Sequence, residues 1–549
     1  MSPTSHAREL VIDESARWWG SRLGRVIDPS QGAAAETIAS ACAWCIHQLA
    51  QGHTCLDFDL PVVANRRDSG RTSACAPAEW MALLAAHPSV QQSAAGSLDA
   101  TTSPLVLEGT KLFLAKCRHG EIEVVRRLCA MAHEKCLWSV DTPAATSPRD
   151  QALAAVRRNR LSIITGGPGT GKTTIASLMA DAVLRERPVE IALIAPTGKA
   201  AKRLENSMRQ RVASHASEYS RRGREVLSCI AASTIHAALS AAGEEALAKK
   251  QLVIVDESSM IDLELMRMLV ERLGAHASLV LLGDAHQLAS VEAGSVFADI
   301  LPREDDSNHP LRACTVRLVD NHRFPVDGVI ARIAAAVNDG SWDRVESVLA
   351  EESSASVRWK RVANERETLE ACANAYGESP ASQILCGHRR GSDGSLAVNR
   401  MIAKRVGNVA NPDPIDGDEF EGRPIIVTVN DPASGLSNGD TGIVRRSGDG
   451  ELEVQIDGAS GALPMAQVPR HEAAYALTIH KSQGSEYPSV IVVLPAGRST
   501  VVTRELLYTA ITRTTGNVLI ISTQDALRSA VEQRVHRASG LRARMLAGA

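Results

Sequence analysis

From residue 161 onward the chain alternates short, almost wholly apolar runs with longer stretches of helical period. The first runs are LSIIT at 161–165, IALIAP at 191–196, LVIVD at 252–256, LVLLGD at 279–284 and TVRLV at 315–319. A strand with one wet face alternates apolar and polar residues, whereas a strand covered by helices on both faces stays apolar throughout, so these runs predict a parallel α/β sheet. A second set, QILC at 383–386, YALTIH at 475–480, SVIVVL at 489–494 and VLIIS at 518–522, predicts a second α/β domain of similar build. Inside it, residues at about 421–470 switch to a period of two, with turn signals at Asn438-Gly439-Asp440 and at 448–450. That pattern predicts a small β-barrel insert. Residues 1–140 read as a mainly helical, alanine-rich domain with short strands near 105–109 and 112–115, and the Pro-, Ser- and Thr-rich segment 141–150 reads as linker. The expected units are therefore 1–140, 141–325 and 326–549.

At 549 residues the chain is too long for one core, which agrees with that division. With 44% apolar and 22% charged residues it has the balance of a folded globular protein. Its longest apolar runs fall far short of the ~20 residues that cross a bilayer. No membrane span is expected, and the first residues show no secretory pattern, which points to the cytoplasm. The net charge of −3 decides nothing about partners, since even a polyanion needs only a local basic patch and not a basic whole. Among eleven cysteines, Cys42 and Cys45, with His47, His53 and Cys55 nearby, have a spacing that a metal could use. However, Ile38, Cys42, Cys45, Ile46 and Leu49 fall on one helical face, and buried packing is the simpler reading.

Candidate chemistry begins directly after LSIIT. The segment GGPGTGKTT, Gly166, Gly167, Pro168, Gly169, Thr170, Gly171, Lys172, Thr173 and Thr174, fits the phosphate-loop pattern between a strand and a helix. Its glycines let backbone N–H groups turn inward around phosphate, and the helix N-terminus faces the same charge. Lys172 is placed to reach the β and γ phosphates of a nucleoside triphosphate, and the Thr173 hydroxyl to ligate Mg²⁺. The run LVIVD ends in Asp256 and Glu257 at the carboxyl edge of a parallel strand, where ligands bind. Asp256 suits Mg²⁺ and Glu257 suits polarising water. These features predict nucleoside triphosphate hydrolysis without saying what it drives.

Further segments occur in a telling order: APTGKAAKRL at 195–204, STIH at 233–236, GDAHQLASVEAGSVF at 283–297, NHRF at 321–324, TIHKSQGSE at 478–486 and YTAITR at 508–513. In that order they resemble the motifs of superfamily-one helicases over about 150–549. The stretches at 421–444, 471–488 and 501–513 narrow the resemblance to the RecD family, the alpha subunits of exodeoxyribonuclease V. Weaker similarity extends to QGHTCL at 51–56 and ASGL at 538–541.

The resemblance implies two RecA-like P-loop domains with ATP in the cleft between them and single-stranded DNA across their upper surface. Gln151 matches the family's adenine-reading glutamine, and Gln287 a sensor of the γ-phosphate. Arg323 and Arg513 match paired arginines that approach the γ-phosphate from opposite sides. Thr197, Lys199, His236, Thr478, His480, Lys481 and Ser482 lie in motifs that contact the DNA track, although His236 could equally serve only at a helix start. Two departures, Ala285-His286 and Thr514-Thr515-Gly516, leave these side chains in place. The implied activity is 5′ to 3′ DNA translocation and unwinding, in a complex with RecB-like and RecC-like subunits acting on duplex DNA ends in break repair and recombination. Nuclease activity is expected in a partner chain. A stand-alone helicase, or a DNA-binding subunit that uses ATP only as a switch, are the alternatives.

Overall fold

The structure is a computed structural model and describes residues 14–30, 32–59, 77–138, 147–319, 321, 323, 328–351, 356–407, 411–415, 417–459, 461–497 and 499–548. Most of the 141–150 linker lies outside the described residues; Ser147 caps the helix Pro148–Arg158, its side chain accepting from the Asp150 N–H.

The first described part holds helices Glu14–Ile27, Ala33–Ala50, Pro77–Ala86 and Ala115–His133. It also contains a four-stranded sheet of β1 (Leu56–Asp57), β2 (Val90–Ser93), β3 (Leu105–Glu108) and β4 (Lys111–Leu114), in the order β1-β4-β3-β2. Helices make up most of the described region, and β3 and β4 fall where short strands were expected, within a small sheet. β1 spans two residues and β2 reads VQQS, so neither shows an apolar period that would betray a strand. Ile38, Cys42 and Cys45 are buried, and burial pushes the Cys42 thiol up to about 12.

The first large sheet consists of β5 (Leu161–Gly166), β6 (Ile191–Ala195), β7 (Ala232–Thr234), β8 (Leu252–Val255), β9 (Ser278–Gly283) and β10 (Thr315–Leu318). Its order is β10-β5-β9-β8-β6-β7 and its pairs are parallel. Successive residues feed opposite faces: Val253, Val255, Leu279 and Leu281 enter one core, and Leu252, Ile254, Val280 and Leu282 the other. This two-sided burial is why the runs are apolar without alternation. The helix Lys172–Glu186 is buried at every residue from 175 to 184, wedged between the sheet and neighbouring helices. Helix Ala115–His133 and the last helix, Leu541–Ala547, supply Val124, Leu128, Leu541 and Met545 to the opposite core. The helix Ala115–His133 and the last described helix therefore pack under the first large sheet, and the last described helix does not join the second.

The second large sheet begins with β11 (Val357–Arg361) and β12 (Gln383–Cys386). An insert follows, made of β13 (Pro424–Val427), β14 (Thr441–Arg446), β15 (Leu452–Ile456), β16 (Ala462–Pro464) and β17 (His471–Ala473). The parent sheet then resumes with β18 (Ala476–Thr478), β19 (Tyr487–Val493) and β20 (Thr514–Ser522), in the parallel order β11-β20-β19-β12-β18. Insert pairs are antiparallel, ordered β16-β15-β14-β13-β17, around Ile425, Val427, Val444, Val454 and Ile456. Among the described residues these pairings end at β16 and β17, so the insert is described as a five-stranded sheet and not as a closed barrel. Among the described residues no helix is long and apolar enough to cross a membrane.

Candidate active site

A cleft of about 320 Å³ opens at the carboxyl end of β5, lined by residues from both large sheets. Its floor is the loop between β5 and the helix Lys172–Glu186. Gly169 and Gly171 stand at φ +80° and +81°, a region open to glycine and strained for other residues. A Cβ on Gly169 would also lie 2.4 Å from the Arg323 Cβ and 2.7 Å from the Asn321 Oδ1. Lys172 folds over the loop, its Nζ donating to the carbonyls of Gly166 (2.7 Å) and Gly167 (3.0 Å). Pro168, Gly169, Gly171, Lys172, Thr173 and Thr174 line the cleft, while Gln151 is exposed and is not among the lining residues.

The end of β8 contributes Asp256 and Glu257. Asp256 accepts from the Glu257 N–H at 2.9 Å, and burial, reinforced by the neighbouring Glu257 charge, raises its pKa to about 6. Glu257 itself stands at φ +51°, the one non-glycine with positive φ among the described residues. A side chain held there costs roughly 1–3 kcal/mol, and such outliers gather at functional sites. The end of β9 leads to Asp284 and to Gln287, which is buried in the cleft wall.

Three arginines converge here. Arg323 follows β10, its N–H donating to the Asn321 Oδ1 at 2.9 Å while the Asn321 amide donates to the Pro168 carbonyl at 3.0 Å. Its guanidinium crosses to the second sheet, donating to the Thr512 carbonyl at 3.2 Å and pairing with Glu486. Burial, with the nearby charges of Arg203 and Arg513, lowers the Arg323 pKa to about 10. Arg513 enters from the second sheet, fully enclosed, with Nε donating to Thr509 O at 3.2 Å and Nη1 to Ser485 O at 3.4 Å. Arg203 and Glu486 were not singled out from the sequence. Glu486 pairs with both Arg203 and Arg323, and Arg203 also donates to Gly484 O at 3.2 Å. Both lie inside recognised motifs, at 195–204 and 478–486, so the signal was present; their convergence is tertiary. In all, Lys172, Arg203, Arg323 and Arg513 face Asp256, Glu257 and Glu486, a surplus of cations that suits a polyanion.

The expected track residues lie apart from this cleft. Thr197 caps the helix Gly198–Ser214, its hydroxyl accepting from the Ala200 N–H at 3.2 Å. Lys199 reaches toward Thr441 of the insert at 3.5 Å, and burial lowers its pKa. His236 is exposed on the short helix Ile235–Ala238. Thr478 accepts from the Lys481 N–H at 3.3 Å, and the Lys481 ammonium donates to Glu472 at 3.1 Å. His480 is half-buried with its pKa lowered by burial, and Ser482 is fully buried, its hydroxyl donating to Ile479 O at 2.7 Å. The Ser482 hydroxyl therefore faces protein.

A phosphate loop approached by Arg323 from its own sheet and by Arg513 from a second parallel sheet is the arrangement of an ATP-driven helicase of the P-loop class. Residues 149–359 match the AAA domain family, 473–521 the UvrD-like helicase C-terminal domain, and 20–113 the N-terminal domain of RecBCD enzyme subunit RecD. The RecBCD enzyme subunit RecD of Mycobacterium tuberculosis (strain H37Rv) is 34% identical over 94% of this chain and 92% of its own length. That of Mycolicibacterium smegmatis is 32% identical over 93% and 94%. The chain belongs to the family of RecD subunits of the RecBCD enzyme. A further relative, the ATP-dependent RecD2 DNA helicase of Deinococcus radiodurans, is 29% identical over 68% of this chain and 49% of that protein.

Proposed function

We propose that this ATP-dependent DNA helicase moves 5′ to 3′ along single-stranded DNA. In this reading it serves as the RecD-like subunit beside RecB-like and RecC-like chains, opening duplex DNA ends in the cytoplasm during break repair and recombination. The observation that carries the motor reading is the pairing of Arg323 with Glu486 and Thr512, which ties both large sheets to one cleft. Hydrolysis that needs groups from both sheets depends on their closure, and closure is motion along a track.

Within the cleft, Lys172 binds the β and γ phosphates and the loop N–H groups cradle them. Thr173 and Asp256 would hold Mg²⁺: a hydroxyl and a carboxylate are the hard oxygen donors that ion takes, and a cation would offset the repulsion between Asp256 and Glu257. Bound there, Mg²⁺ would neutralise charge on the phosphates. Glu257 polarises the attacking water, Gln287 orients it, and Arg323 and Arg513 stabilise charge on the transferring phosphoryl group. Gln151 would meet adenine at the rim. Thr197, Lys199, His236, Thr478, His480 and Lys481 would grip phosphates without reading bases. The units 1–140, 141–325 and 326–549, with an insert at about 421–470, would serve as partner-facing part, first motor domain and second motor domain. Nuclease activity would reside in a partner.

Partial duplexes with a 5′ or a 3′ tail test polarity directly. Unwinding from the 5′ tail is expected, and unwinding only from the 3′ tail overturns it. Co-purification from the native host should recover RecB-like and RecC-like chains; a fully active helicase that recovers neither supports the stand-alone form.

A further inference from the structure

Two segments of the RecD resemblance, 51–56 and 538–541, take no part in the cleft. The structure nevertheless brings them together against the loop that follows Gln287. The Thr54 N–H donates to Ala538 O at 2.9 Å, the Ala538 N–H donates to His53 Nδ1 at 2.8 Å, and the Gly294 N–H donates to Gly52 O at 2.9 Å. Just ahead of this seam, Arg537 turns its guanidinium into residues 290–294. Nη1 donates to Glu292 O at 2.8 Å, Gly294 O at 2.9 Å and Ser290 Oγ at 3.4 Å, and Nη2 donates to Ser290 O. Gly52, at φ +89°, leaves room for that guanidinium, since a Cβ there would lie 2.8 Å from the Arg537 Cζ.

The strap that carries Arg537 is firmly seated. Arg544, fully buried, donates to Glu121 at 3.0 Å and Glu108 at 2.9 Å, while Thr54 and the Gly540 N–H donate to Glu121 at 2.6 and 3.1 Å. Breaking such a buried charge cluster is costly, so its geometry is held. On its other side the same loop is tied to elements beside the second large sheet, the helix Arg504–Ile511 and the turn after β18, where the Leu288 N–H donates to Thr509 Oγ1 at 3.0 Å and Leu288 O accepts from the Gln483 amide at 3.1 Å. Gln287 therefore hangs on a segment clamped by those elements at Leu288 and by Arg537 at Ser290, Glu292 and Gly294. A planar guanidinium that satisfies three carbonyls at once fixes the path of a loop in a way an ammonium cannot.

We propose that Arg537 is a positioning residue for Gln287, so that the N-terminal 51–56 segment, the C-terminal strap and the hydrolytic site share one rigid junction. This rests on reading the cleft as the ATPase site and Gln287 as part of it.

The test is a double-variant cycle on the full chain, with kcat and KM for ATP measured at saturating oligo(dT) alongside thermal unfolding. Arg537→Ala is expected to lower kcat by about 10- to 100-fold with little change in KM, the scale of a misplaced catalytic group. Arg537→Lys should recover only part of the rate. Adding Arg537→Ala to Gln287→Ala should cost nothing further, because the route to the chemistry is already gone. Losses that multiply in the double variant, or a lowered Tm with kcat intact, overturn the proposal. If Arg537→Ala does not fold, Arg537→Lys carries the same cycle. A wild-type chain without ATPase activity overturns the cleft assignment together with this one, whereas an active wild type with multiplying losses overturns this one alone.

Discussion

Tyr508 donates its hydroxyl to Asp284 at 3.1 Å, joining the helix that leads to Arg513 with the loop that carries Gln287. Both groups are buried, at 5% and 2% exposure, so the bond runs through protein and not through water. Tyr508→Phe removes the donor and keeps the ring. A hydrogen bond to a buried charge contributes about 1.5–3 kcal/mol, so a lower Tm and a lower ATPase kcat are expected together. Thermal unfolding and steady-state ATPase on the same sample check this, and an unchanged Tm would show that the bond bears no load.

Arg323 and Arg513 reach one cleft from different sheets, and neither is expected to substitute for the other. Each alanine variant should lose about 10³- to 10⁵-fold in kcat, as removal of an arginine finger does. Nucleotide binding should persist in both. Fluorescent-nucleotide titration with single-turnover ATPase separates the two effects, and a loss confined to binding would contradict the assignment.

Gly169 offers a steric test. Alanine there is strained at φ +80° and drives a methyl to 2.4 Å from the Arg323 backbone-anchored Cβ. Gly169→Ala should abolish ATPase with the global fold retained. Alanine at Gly422, at φ +88° with nothing within 4 Å, shares the backbone strain but not the clash, and should leave kcat nearly intact. Equal losses in the two variants would show that strain alone explains the effect.

His471 on β17 supplies a pH signature. Its imidazole pairs with Glu419 at 3.1 Å and meets the Pro469 carbonyl at 2.8 Å; the Glu419 hydrogen bond raises its pKa above the ordinary value, against burial and the Arg423 charge. A raised folded pKa adds stability that is fully present below the unfolded value near 6.5 and is lost as pH rises through the folded value. The Tm gap between wild type and His471→Gln should therefore be largest below about pH 6.5 and shrink above it. A gap that widened with rising pH would contradict the pairing.

Which parts could be read from sequence follows from where each signal lies. β5, β8 and β9 were legible because burial on both faces leaves them apolar almost throughout. β7, with the sequence AST, and β11, with VRWKR, each lie at one edge of their sheets, where apolar runs are not required. The phosphate loop was legible because its chemistry is contiguous. Glu486 was not, because its significance lies in sitting between Arg203 and Arg323, residues more than 160 positions away in the chain. The burial of Ser482 was equally hidden, since a motif serine looks the same whether its hydroxyl meets DNA or Ile479 O.

The central claim is that the cleft at Lys172 is a motor coupled to single-stranded DNA. The most direct measurement is steady-state ATP hydrolysis by the purified chain with and without oligo(dT), for wild type and Lys172→Ala. The account predicts hydrolysis that rises sharply with oligo(dT) and vanishes in Lys172→Ala; equal rates with and without DNA, or activity that survives Lys172→Ala, would contradict it.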